Sequence, residues 1–183
     1  ILSTDQPSAD IEETLGLTPF QRTHTGIIDT VTKLMSPEAA DSVRVKYVPS
    51  ASDLTGIGIK FTRMVEEIFR GDFSEDELEI FPPPIRFYIN SLSTLLMYRR
   101  VEVLYQFLHV ITTKLKKMEA LGVYVLNKES FDERTLSLMK QLMNVVIDVK
   151  KDSNQEFLSI NGLSGITPDW IAYQFEDGNL VMK

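Results

Sequence analysis

The chain has 183 residues, 43% of them hydrophobic and 25% charged, which is enough for one domain with a real core. A net charge of −7 and a pI near 4.9 disfavour a generic nucleic-acid coat, which needs a basic face against phosphates. With no cysteine there is no disulfide, thiolate metal site or cysteine nucleophile, a usage that fits a reducing cytoplasm, and no apolar run approaches the ~20 residues of a membrane helix.

Ile1-Leu2-Ser3-Thr4 reads as the second half of a buried strand ending at Asp5. Without an initiator methionine, it also carries the expectation of sequence upstream. Pro7-Ser8-Ala9 opens a helix through about Leu15, with Asp10, Glu12 and Glu13 suited to its first turns and with Gly16 and Pro19 to end it. Gly26–Thr30 is a short apolar strand closed by an acid, Asp29, read as a strand-end turn residue. Residues 31–42 form a loop with a weak helical turn at Pro37–Asp41. Val43–Val48 alternates as a half-exposed strand, with Val43, Val45 and Tyr47 on one side and Arg44 and Lys46 on the other.

Ser52-Asp53 caps a helix whose apolar set is Ile57, Phe61, Met64, Val65 and Ile68, closed by Gly71. Residues 72–84 are acidic, then proline-rich, and read as a surface connector. Residues 85–90 form the next strand, which stops at Asn90-Ser91, and Leu92 starts an apolar, helix-compatible run. A helix over about 101–121 carries the stripe Leu104, Phe107, Leu108, Ile111, Leu115 and Met118, with Lys114, Lys116 and Lys117 in its later turns and Gly122 past its end. Val123–Leu126 reads as another buried strand, Asp132 as the cap of a helix with the stripe Leu136, Met139, Leu142 and Met143, and Val145–Val149 as a strand. Beyond Lys150, three short strand-like runs follow, with Asp177-Gly178 as a hairpin signal.

Strands alternating with helices predict a mostly parallel α/β sheet covered on both faces, with an antiparallel section added by the tail at one edge. The expected organisation is a core over 1–150 with a β-hairpin extension of the same domain over 151–183. His24 and His109 lack a second histidine at ligand spacing, so no metal site is expected. No GxSxG elbow supports a serine hydrolase. Trp170 and Tyr173 read as edge packing rather than a base-stacking platform, in acidic surroundings that disfavour nucleic acid.

Four stretches taken in order resemble the KaiC-like branch of the RecA-superfamily ATPases, and particularly its divergent archaeal members. ILSTDQPSADI is similar to the strand that ends in the catalytic acid, and GIIDT to the strand after it. SASDLTGIGIKFTRMVEEI resembles the family's "dLt-x-i-x-i" helix, and RFYINSLSTLL its Walker B strand "hhhhDSLS-x-L". The helix ending in ALGVYVLNKES then resembles the following helix and sensor strand. The resemblance covers about 1–150 and implies a three-layer α-β-α fold of RecA type. Asp5 falls on the water-activating acid, Asn90 on the Walker B aspartate, with Ser91 beside it, and Asn127 on the polar sensor of the γ-phosphate. Two of these positions depart from what hydrolysis wants. An amide at 90 offers a neutral acceptor where magnesium calls for a charge, and Asp5 reaches one methylene less than a glutamate. No GxxxxGK[ST] occurs; in the family that loop precedes the strand matching Ile1–Thr4, on a strand inside the sheet.

The resemblance therefore implies a catalytically degenerate domain that acts as a regulatory or interaction module, with a protein partner or homo-oligomer and without nucleic acid or membrane. The alternatives are a weak ATPase using ATP and magnesium, with its phosphate loop upstream, and a repurposed α/β domain that binds no nucleotide. Glu129, Asp132, Glu133 and Arg134 read as a solvated loop and helix cap rather than residues facing a neighbouring subunit's nucleotide.

Overall fold

In the computed structural model, which describes residues 1–69 and 85–183, five short strands lie side by side and all run parallel. They are β1 (Leu2–Ser3), β2 (Ile27–Asp29), β3 (Val45–Tyr47), β4 (Arg86–Ile89) and β5 (Leu121–Tyr124), in the order β3-β2-β1-β4-β5. Register is set by Leu2 opposite both Ile28 and Ile89, all three fully buried. Parallel strands buried on both faces are expected to be continuously apolar, and β2 with its buried Ile27 and Ile28 shows why so short a strand is stable here. The expected Gly71 helix stop, the acidic 72–79 run and the prolines at 82–84 lie outside the described residues.

Two helices begin the connections. The first, α1 (Ser8–Leu15), is terminated by Gly16 in the left-handed conformation, as its sequence predicts. The second, α2 (Pro19–Thr23), was not expected: Pro19 opens a helix rather than closing one. Thr18 and Gln21 form a capping box, and proline at the first helical position loses an N–H that has no partner there anyway. A single short turn, α3 (Thr32–Met35), precedes β3. The alternation in β3 is reversed from the sequence expectation. Lys46 points inward and is buried, and its ammonium pairs with Glu67, which lies on a π-helical turn (Val65–Phe69) at the end of α4 (Leu54–Met64). A buried lysine needs such a carboxylate, and its aliphatic stem packs like a hydrophobe.

The helix α4 and the long α6 (Val101–Lys117) pack against each other, with α5 (Leu92–Tyr98) joining β4 to α6. Leu104, Leu108, Ile111 and Leu115 are fully buried along one face of α6, each contributing about 1.5–3 kcal/mol of burial. Phe61 of α4 meets Phe87 of β4 edge to face, with ring centroids 4.9 Å apart. Right-handed crossovers put α1–α3 on one face of the sheet and α4 and α6 on the other.

That topology corrects the expectation for the last parallel strand. It begins at Leu121, two residues early, and is an edge strand rather than a buried one, with Leu121 57% and Val123 42% exposed. Gly122 is not the helix terminator, a role taken by Glu119 at φ 53°. Gly122 lies within β5, where a Cβ would fall 2.8 Å from the Tyr124 hydroxyl and 3.1 Å from Leu115.

The chain divides into two compact units, Ile1–Thr135 and Leu136–Lys183, and α7 (Glu133–Lys140), capped by Asp132, carries the division. The second unit holds a four-stranded antiparallel sheet of β6 (Val146–Asp152), β7 (Gln155–Asn161), β8 (Ile171–Glu176) and β9 (Asn179–Met182) in sequential order. Among the described residues these strands pair only with one another, so the antiparallel section is a sheet of its own rather than an addition to the parallel edge. The strand expected near 145–149 belongs to it. Asp177 and Gly178, both at positive φ, make the last hairpin turn as the sequence predicts.

Candidate functional site at the carboxyl ends of the strands

Parallel sheets place their loops, and therefore their sites, at the carboxyl ends of the strands. Here β1 ends in Ser3-Thr4-Asp5, β2 in Asp29-Thr30 and β4 in Asn90-Ser91, with Asn127 following β5. Adjacency of β1 and β4 brings Asp5 and Asn90 into direct contact across 85 residues of sequence.

The Asn90 carboxamide is fully committed to the end of β1. Its Oδ1 accepts from the Thr4 backbone N–H at 2.9 Å, with the Thr4 hydroxyl 3.1 Å away. Its Nδ2 donates to the Asp5 carboxylate and, at 3.3 Å, to Ser3 Oγ. Chemistry dictates this orientation. A backbone N–H only donates and a carboxylate only accepts, so the amide oxygen must face Thr4 and the amide nitrogen Asp5. The Thr4 hydroxyl also reaches the Ser91 carbonyl at 2.8 Å, which locks the β4 turn onto β1.

Ser91 serves as the N-cap of α5. Its Oγ accepts from the Thr94 N–H at 3.3 Å and from the Thr94 hydroxyl at 2.9 Å. Asn127 is tied to the same helix start, since its N–H donates to Ser93 Oγ at 2.9 Å. Its side-chain oxygen accepts from the Glu129 N–H at 3.2 Å and opens a single 3₁₀ turn. The sequence positions therefore converge, with Asp5 bonded to Asn90, Ser91 joined through Thr4 and Asn127 through Ser93.

The most heavily bonded acid at this end is Asp29, which the sequence reading left as a turn residue. Its side chain is fully buried. Oδ2 accepts from the Ser8 N–H at 2.7 Å and the Thr32 hydroxyl at 2.6 Å, and Oδ1 from the Val31 and Thr32 N–H groups, both at 2.8 Å. One carboxylate thus holds the start of α1 and the turn into α3. Burial pushes its pKa up, but the bonds from Thr32, Val31 and Ser8 outweigh this and hold it below the ordinary aspartate value. The signal in the sequence was an Asp at the end of an apolar strand with Thr32 three residues on, the pattern of an Asx turn.

Magnesium bound for phosphoryl transfer needs free anionic oxygens and their ordered waters. At this end, both Asp29 oxygens and the Asn90 oxygen are already used on the chain's own donors, and the exposed Asp5 accepts from the Asn90 amide through one of its two oxygens. The residues present do not fit the ion. Among the described residues no cluster of three or more histidines and acids could hold a metal. His24 and His109 are apart from the site: His24 lies against Phe20, and His109 is stacked on Tyr105.

A model of a family of unknown function, DUF7504, matches residues 1–149. Among solved structures, the chain is similar to a KaiC-like protein from the hyperthermophilic archaeon Pyrococcus horikoshii. The identity is 9% and the TM-score 0.56, over 100% of this chain and 74% of that one. No curated protein matches the chain. At that identity the likeness is one of fold, a KaiC-like fold of RecA type, as the four sequence stretches implied.

Proposed function

The chain belongs to DUF7504, a family of unknown function, and from its own residues we propose a catalytically degenerate RecA-like domain that works by binding protein, as a regulatory or scaffold module. The observation that carries this is the Asn90 carboxamide. At the position that resembles a metal-holding aspartate, it bonds Thr4 and Asp5 and closes the end of the sheet instead. What was a place for an ion has become a structural clasp between β1 and β4. The partner is another protein or a second copy of the chain, and the acidic charge disfavours nucleic acid.

Thermal melting with ATP and magnesium tests the reading. A ligand at 100 times its Kd adds about 2.7 kcal/mol, which would raise the melting temperature of a domain this size by several degrees. A flat titration to millimolar MgATP is expected, and a saturating rise would overturn the proposal.

One observation favours a second reading, a weak ATPase with its phosphate loop on a further strand. Among the described residues no strand pairs with the outer edge of β5, and Leu121, Val123 and Val125 stand exposed beside it. One more strand and its helix would cover both. In that reading Asp5, Asn90, Ser91 and Asn127 face ATP and magnesium, and the same melting titration decides.

A further inference from the structure

The outward side of the α4–α6 pair holds a shallow groove of about 370 Å³. Its walls repeat at helical spacing, with Gly58 and Ile59 on α4 facing Phe107 and Val110 on α6, and Arg63 and Lys114 further along. Ile59 and Val110 are half exposed, at 52% and 53%. Core-facing helices turn such residues inward. Here two of them line an open trough instead.

Gly58 is the telling residue. Glycine in the middle of a helix is the poorest choice after proline. Its neighbour Gly56 has a reason, because a Cβ there would fall 2.2 Å from the Asp53 carboxylate that caps the helix. Gly58 has none among the described residues. Its φ is not positive, and a Cβ would meet only the Phe107 ring at 3.9 Å, an ordinary contact. The missing side chain leaves the groove floor open at this point.

Charge narrows the occupant. Among the described residues, Arg63 and Lys114 line the groove and no carboxylate does, in a chain whose net charge is −7. The Lys114 ammonium is held in place by Thr62 Oγ1 at 2.8 Å. A second copy docked groove to groove would bring four cations together, which is repulsive. An amphipathic helix with acidic residues over Arg63 and Lys114 satisfies both the apolar floor and the cations, in the helix-in-groove mode of recognition.

We propose that the α4–α6 groove is the docking site for an acidic amphipathic helix of a partner protein, seated over Gly58. This rests on the reading of the chain as an interaction module. The probe is a fluorescent synthetic helical peptide with leucines at i, i+3, i+4 and i+7 and glutamates in its last turns, compared with a version carrying lysines instead. Anisotropy should show the acidic peptide binding about tenfold or more tighter than the basic one. Gly58→Met fills the trough with a helix-favouring side chain, so it should keep or raise the melting temperature while losing the peptide. Joint Arg63→Glu and Lys114→Glu substitution should invert the peptide preference. Equal binding of the two peptides, no binding at millimolar concentration, or undiminished binding by a folded Gly58→Met variant would overturn the groove assignment. A MgATP-induced rise in melting temperature overturns the module reading instead, whatever the peptides do.

Discussion

Asp29 concentrates more hydrogen bonding than any other acid at the carboxyl end of the sheet, and its removal should be felt accordingly. Asp29→Ala leaves the Ser8, Val31 and Thr32 donors unpaired in a buried place. The expected loss is about 3 kcal/mol in urea unfolding, since each abandoned buried donor costs on the order of 1 kcal/mol or more. The pH dependence follows in sign. The folded-state pKa lies below the unfolded one, so the stabilisation is complete above the ordinary aspartate range and is lost as pH falls through the folded value. Asp41 adds to the same window; burial raises its pKa, but the Lys60 ammonium and the Tyr47 N–H draw it down further. Urea midpoints measured from pH 6 down to pH 3 should fall, and Asp29→Asn should flatten part of that fall. Asn90→Asp puts a second carboxylate against Asp5 and takes away the donor to it. At neutral pH this should cost about 1–2 kcal/mol, and the cost should shrink in acid as the pair takes up a proton. The sequence marks Asp5 and Asn90 as strand-end polar residues, and the resemblance pairs them. That Asn90 is spent on Thr4 depends on the β1–β4 register, which no local pattern encodes.

Helices and strands divide by how local their causes are. The Asp53 cap of α4, the Asp132 cap of α7 and the Asp177-Gly178 turn sit beside what they stabilise, and all three were legible. Asp53→Ala should cost about 1 kcal/mol in thermal unfolding, through the lost bond to the Gly56 N–H at 2.8 Å. α2 was equally local, and Thr18-Pro19 with Gln21 is a start signal; reading Pro19 as a terminator hid it. Lys46 and β5 were not local. Alternation assigns a lysine to the solvent side, and only the distant Glu67 makes its burial tolerable. An apolar run such as Val123–Leu126 reads as buried, whereas its exposure follows from being last in the strand order.

For the whole molecule, periodicity carried the parallel α/β unit, and four ordered stretches carried its RecA-type fold. The tail was legible as antiparallel strands but not as a separate sheet, because strand pairing within 146–182 is set by cross-strand partners such as Ile147 and Ile160. The sequence division at 150 and the structural one after Thr135 differ by α7 and β6. In the proposed function Asn90 closes the sheet end in place of holding an ion. ATP turnover by the Asn90→Asp variant in magnesium tests this most directly. No turnover above that of the unsubstituted chain is expected, because Asp29 and the Thr4 contacts leave no assembled ion site. Magnesium-dependent ATP hydrolysis that appears on this single substitution would contradict it.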